Sequence, residues 1–169
     1  MASIFTRMVN REIPAHIVAE DDKFLAFLDI NPLVVGHTLV IPKKEVDYIF
    51  DLDDDTLKEI QIFCKRVSTA IENAVPCLRI GVAIIGLEVP HAHIHLVPLN
   101  SMDDINFSRP KLTPSQEELI TTCSKIREQF LWNPGLLHLL TIHVAFSDNM
   151  SQNIHWLLLG TTIDFVLSL

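Results

Sequence analysis

Three histidines fall within five residues of this chain, in the run His91-Ala92-His93-Ile94-His95-Leu96-Val97-Pro98. In a strand, alternate side chains share a face, so the three imidazoles belong to one side and Ala92, Ile94 and Leu96 to the other. Alternate residues stand roughly 6.5–7 Å apart, a separation at which two neighbouring rings can embrace one phosphoryl group. An imidazole titrates near pH ~6.5, so one ring can attack as a nucleophile while another gives up a proton. The apolar face is expected to pack inward and leave the imidazole row pointing outward. His37, directly after Gly36, is placed to add a fourth ring.

Three chemistries compete for such a triplet. A solvated histidine patch explains one histidine well but not a strict alternation of three. A metal centre is the second, because His-x-His on a strand is a common ligand pair for zinc or iron, with Glu88, Asp29 or His37 as further ligands. Phosphoryl transfer is the third, and the surrounding residues favour it.

The elements that must position these residues are legible from punctuation and periodicity. A short apolar turn, Ile4–Val9, ends before Pro14. The runs His16–Ala19 and Phe24–Leu28, separated by Glu20-Asp21-Asp22, read as a hairpin. After Asn31-Pro32 and Gly36 comes a strand over Thr38–Ile41, closed by Pro42. The acidic stretch Asp51–Asp55 opens a long helix whose apolar positions Leu57, Ile60, Phe63, Val67 and Ile71 recur every three or four residues. Strands are expected over Leu78–Ile85 and His91–Leu99. A last helix starts with Thr113 as cap, Pro114 at its first position and Gln116 completing a capping box, and runs to about Gln129. That order is α+β with a mainly antiparallel sheet.

The 169 residues suffice for one domain plus an extension, and 49% of them are apolar. A net charge of −8 argues against a nucleic-acid surface, which needs clustered Lys and Arg. Cys64, Cys77 and Cys123 form no Cys-x-x-Cys pair and read as thiols in a reducing compartment. The N-terminal residues show no secretory signal, so a cytoplasmic location is expected. Residues 131–169 carry only Asp148 and Asp164 as charges, whereas 1–130 carry the other 32. The expected organisation is therefore a domain over 1–130 and an apolar C-terminal extension over 131–169. Neither apolar run of that extension reaches the ~20 residues that cross a bilayer, and no membrane partner is expected for 1–130.

The triplet with its following Leu96-Val97 resembles the signature of the histidine triad (HIT) superfamily. Further blocks extend the likeness: Ile4-Phe5, Glu12-Ile13-Pro14-Ala15, Glu20-Asp21-Asp22, the run Leu25-Ala26-Phe27-Leu28-Asp29-Ile30-Asn31-Pro32, and Gly36-His37-Thr38-Leu39-Val40-Ile41-Pro42-Lys43-Lys44. Their order and spacing are similar to the Hint-like branch over most of residues 3–130. The resemblance implies a HIT-like α+β protomer that pairs into a homodimer with a continuous sheet. It also implies a hydrolase or transferase acting at the α-phosphate of nucleoside phosphoramidates, dinucleoside polyphosphates or similar compounds. By matching positions, His93 would be the transiently nucleotidylated nucleophile, and His95 would contact the phosphate and move the leaving-group proton. His91 and His37 would orient the array. The nucleotide would be held by Asp29 at the ribose hydroxyls and by an apolar base pocket of Ile4, Phe5, Met8, Phe27 and Ile30, with Asn31 beside them. Read without the resemblance, those apolar residues are core and Asp29 is a turn residue bonding its own backbone.

Two departures bear on function. Many relatives place Gly-Gln-Ser/Thr-Val just before the triplet, where this chain has Gly86-Leu87-Glu88-Val89. Glu88 should repel a phosphate unless it is protonated, turned away or paired. Some bacterial relatives hold structural zinc through an N-terminal Cys-x-x-Cys and histidines. Here the stretch is Ser3-Ile4-Phe5-Thr6, and Glu45 stands where a histidine would be, so no metal and no cofactor are expected. A nucleotide-binding protein with little turnover is the alternative to an enzyme.

Overall fold

The structure is a computed structural model that describes residues 2–131. Expectations for residues 132–169 lie outside that range. Three α-helices, α1 (Ile4–Val9), α2 (Asp54–Ala74) and α3 (Gln116–Leu131), accompany strands β1 (Ile17–Glu20), β2 (Phe24–Leu28), β3 (Thr38–Pro42), β4 (Arg79–Ala83) and β5 (Ile94–Leu99). The strands form one sheet in the order β1-β2-β3-β5-β4, and every neighbouring pair is antiparallel. The α+β class read from the sequence is the observed one.

Local chemistry explains the boundaries. Asp53 caps α2 by accepting from the Thr56 amide at 2.8 Å, and Asp54 and Asp55 place negative charge against the positive end of the helix dipole. Its buried stripe, Ile60, Phe63, Val67 and Ile71, packs on Phe24, Ala26, Val40, Ile94 and Leu96 of the sheet. Each such side chain contributes ~1.5–3 kcal/mol by leaving water. Leu119 and Ile126 of α3 join the same cluster.

The opposite sheet face is also covered. Leu25, Phe27, Leu39 and Ile41 cluster there with Phe5 of α1. Both faces of β2 and β3 are thus buried, which is why these strands read as continuous apolar runs.

α3 begins two residues later than the sequence suggests. Ser115, not Thr113, is the cap: its hydroxyl accepts from the Glu118 amide at 3.2 Å, and the Glu118 carboxylate accepts from the Ser115 amide at 2.8 Å. A carboxylate is a stronger acceptor than the Gln116 amide would be, so this box wins. Thr113 and Pro114 instead continue an extended strap that is tied down where the Leu112 amide donates to the Pro32 carbonyl at 2.8 Å. β4 is likewise shorter than expected, ending at Ala83 where the ladder with β5 ends at His95.

Candidate active site

β5 starts at Ile94, so of the three clustered histidines only His95 lies in a strand, while His91 and His93 occupy the extended segment before it. The ladder explains the shortening. β3 pairs with β5 only as far as Val40↔Ile94, and the Ala92 amide turns away to the Val46 carbonyl. Alternation nevertheless survives: Ala92, Ile94 and Leu96 enter the α2 core, while His95 lies opposite Leu39 on the other face.

The imidazole row does not point outward. His91 is 0%, His93 5%, His95 9% and His37 2% exposed. Phe5 of α1 stands edge-on to His91 and His93, with ring centroids 5.9 and 5.3 Å apart. Phe107, on the chain that returns after β5, covers His95 at 4.9 Å. The expectation of an outward-pointing row fails because both sheet faces, rather than one, are packed.

Burial makes the protonation pattern readable. Desolvation is the main force holding His37, His91 and His95 below the ordinary imidazole pKa, and it takes His95 to about 3. Each of these rings is therefore neutral at pH 7 and carries one N–H. The Leu33 amide donates to His37 Nδ1 at 3.2 Å, so the His37 proton is on Nε2 and donates to His95 Nδ1 at 3.0 Å. The His95 proton must then sit on its own Nε2. His93 Nδ1 lies 2.7 Å from the His91 carbonyl, which can only accept, so Nδ1 carries a proton and, in the neutral ring, Nε2 is the nitrogen with the lone pair. Two adjacent rings, 4.9 Å apart, thus present one nucleophilic nitrogen and one proton donor.

Gly36 makes the His37 placement possible. Its φ is +84°, and a Cβ there would meet Val75 Cγ2 at 2.9 Å. Asp29 adopts the turn role, its Oδ1 accepting from the Asn31 amide at 2.9 Å. Its Oδ2 stays 3.5 Å from His37 Nδ1, a close approach without a hydrogen bond, because that nitrogen of the neutral ring already accepts from Leu33. Asp29 and His37 both line an open cleft of about 520 Å³, together with Leu28, Pro32, Leu112 and Leu119.

The apolar set divides. Phe5 and Phe27 are buried against each other at 5.4 Å, beside the histidines, and Met8 is half-buried at their edge. Ile4 and Ile30 are 48% and 56% exposed, and Asn31 is an exposed turn residue. None of these apolar residues lines the cavity next to Asp29.

Sequence reasoning missed Phe107 and Lys111. Nothing in their local pattern marks them, and only the strap joining β5 to α3 brings Phe107 against His37 and His95 and the Lys111 charge within electrostatic reach of both. Lys111 Nζ sits 3.6 Å from Glu88 Oε2, which answers the question Glu88 raised: it is largely exposed and paired with a lysine. Of the metal ligands considered, Glu88 therefore does not reach the histidines. Among the described residues no group of three His, Cys, Asp or Glu side chains is arranged to hold a metal. At the stretch compared with zinc-binding relatives, Ser3, Thr6, Glu45 and His91 do converge, but two of the four groups are hydroxyls, poor partners for zinc beside thiolates. The residues present do not fit that metal.

The fold and the buried histidine cluster define an α+β protein built around an imidazole array, and comparison places it in a family. The HIT domain model matches residues 10–102, and the chain belongs to the HIT family. An uncharacterised HIT-like protein of Borreliella burgdorferi is 40% identical over 113 residues, 63% of this chain and 81% of that protein. An adenosine 5'-monophosphoramidase of Schizosaccharomyces pombe is 35% identical over 122 residues, 70% of this chain and 91% of the relative. Among solved structures, a zinc-bound histidine triad family protein from Mycobacterium smegmatis superposes with a TM-score of 0.69 at 28% identity, covering 80% of this chain and 98% of that one.

Proposed function

We propose that this chain is a Hint-like nucleotide hydrolase or transferase that cleaves at the α-phosphate of nucleoside phosphoramidates, dinucleoside polyphosphates or similar compounds. The observation that carries this reading is the pairing of a lone pair on His93 Nε2 with a proton on His95 Nε2 in adjoining rings. In the first step His93 Nε2 attacks the α-phosphorus, and the bond from phosphorus to the leaving nitrogen or oxygen breaks. His95 Nε2–H donates a hydrogen bond to that atom and guides onto it a proton from solvent water, so that an amine departs neutral and hydroxide remains. In the second step water attacks the nucleotidyl phosphorus, the bond from phosphorus to His93 Nε2 breaks with its electron pair returning to that nitrogen, the proton released neutralises the hydroxide left by the first step, and a nucleoside monophosphate leaves. Holding both rings against one phosphate replaces a bimolecular encounter by positioning. The relatives named as adenosine 5'-monophosphoramidases support the substrate class.

The nucleotide-binding set remains Asp29 with Ile4, Phe5, Met8, Phe27, Ile30 and Asn31, and the reading places the activity in residues 1–130. It includes a homodimer: β4 is an edge strand, and Val82, Ile84 and Ile85 in and just after it are exposed apolar side chains that a second copy would cover. No nucleic-acid or membrane partner belongs to this reading. No helix among the described residues is long and apolar enough to cross a membrane.

The test incubates adenosine phosphoramidate with wild type and His93→Ala, then maps any nucleotidyl adduct on the intact protein. An adduct on His93 and loss of turnover in the variant support the proposal, whereas equal turnover by both refutes it. A second reading, nucleotide binding with little turnover, draws on Phe107 lying against His95. Affinity for AMP without product formation by wild type would favour it.

A further inference from the structure

We propose that Ser3, Thr6 and Glu45 are positioning residues, a hydrogen-bonded clamp that holds His91 and, through its carbonyl, the nucleophile His93. The inference rests on the functional reading above for its kinetic arm only.

The argument is one of counting protons. His91 Nε2 lies 2.8 Å from the Pro42 carbonyl, which can only accept, so the single proton of the neutral ring is on Nε2. His91 Nδ1 is then a buried lone pair in need of a donor. Two hydroxyls are in reach, Ser3 Oγ at 2.9 Å and Thr6 Oγ1 at 3.3 Å. Thr6 spends its one proton on Glu45 Oε2, since a carboxylate only accepts. The Ser3 proton is left for His91 Nδ1. Ser3 Oγ in turn accepts from the Thr6 amide at 3.1 Å as the cap of α1, and the Ser3 amide donates to the same Glu45 oxygen at 2.9 Å.

Every proton in this array has one destination, and the carboxylate decides the direction. The ring of His91 is thereby fixed from both sides. The peptide that follows the ring is fixed with it, and its carbonyl selects the Nδ1–H tautomer of His93. The same bonds pin α1, which carries Phe5 against both rings. Hydrogen bonds do here the fastening that a structural metal would otherwise do.

The experiment uses the full chain labelled with ¹⁵N-histidine, read by long-range ¹H–¹⁵N NMR, beside phosphoramidate kinetics and zinc analysis. Wild type is expected to show His91 as the Nε2–H tautomer with a hydrogen-bonded Nδ1. Ser3→Ala should move that nitrogen towards the free lone-pair position. It should also lower kcat roughly ten- to a hundred-fold with KM within about twofold, the mark of lost alignment rather than lost binding. Ser3→Thr, which keeps the hydroxyl, should restore both. Because Ser3→Ala also removes the cap of α1, Glu45→Ala is the companion variant: it leaves that cap in place and should move the same nitrogen and lower kcat in the same direction.

An Nδ1–H tautomer for His91, ring nitrogens unmoved in both variants, a moved nitrogen with unchanged kcat, or about one zinc per chain would each overturn the clamp. Wild type with the expected tautomers but no phosphoramidate turnover upholds the clamp and refutes the functional reading instead.

Discussion

His37 Nε2, on the residue directly before β3, donates across 3.0 Å to Nδ1 of His95 in the neighbouring β5, a residue 58 positions away in sequence. This bond turns the His95 proton outward to Nε2, so the distant histidine acts through its neighbour. Replacing His37 by Leu should lower kcat by about two orders of magnitude, because His95 loses its tautomer preference. Replacing it by Gln, whose amide can still donate, should cost less. Steady-state kinetics on the two variants, with melting curves as a check on folding, decide it. Equal kcat in the two would remove the tautomer argument.

The buried imidazoles should make the protein acid-sensitive. His37, His91 and His95 all have folded pKa values below the unfolded value of 6.5, that of His95 at about 3. The unfolded chain therefore binds more protons in this window. Stability is fully present above pH ~6.5 and is lost as pH falls from there towards the folded values. Thermal melts should show Tm dropping across that range, and less steeply for His95→Asn. A flat profile between pH ~6.5 and ~5 would contradict the burial described here.

Gly36→Ala should damage fold and site together. The position has φ +84°, where an L side chain costs ~1–2 kcal/mol, and the new Cβ would meet Val75 at 2.9 Å and Pro98 at 3.3 Å. His37 is the next residue, so relief of the clash displaces its ring. Denaturant unfolding should report a loss of at least that size, and kcat should fall alongside it. A variant as stable and active as wild type would show that the loop tolerates the conformation.

Lys111 and Glu88 should act in opposite directions on anionic ligands. Their exposed 3.6 Å pair contributes little to stability. Lys111 is, however, a cation whose field reaches both His37 and His95. Lys111→Met should weaken AMP binding by about tenfold, the worth of one charge-assisted contact. Glu88→Gln should tighten it modestly by releasing the lysine. Calorimetry at low and high salt checks both, and the differences should shrink as salt screens the charges. Identical affinities in all three proteins would exclude the strap from ligand binding.

Much of this architecture was legible before any coordinates. The extents of α1 and β2, the periodic stripe from Leu57 to Ile71 and the acidic start of α2 follow from spacing and capping chemistry, which are local. The alternation of His91, His93 and His95 with apolar residues likewise assigned them a common side, and the neighbouring blocks placed the chain in its family. What sequence could not supply was everything set by contacts between distant segments. Whether the imidazoles meet water depended on Phe5 and Phe107 closing over them from opposite ends of the domain. Which capping box starts α3 was settled by the stronger acceptor and by a strap anchored at Pro32. The protons of His91 and His95 are placed by Pro42, Ser3, Thr6, Glu45 and His37, partners dozens of residues away, and only that of His93 answers to a near neighbour, the His91 carbonyl. A ring nitrogen has no preferred proton until a neighbour donates or accepts, so the tautomers that the proposed chemistry needs exist only in the folded chain.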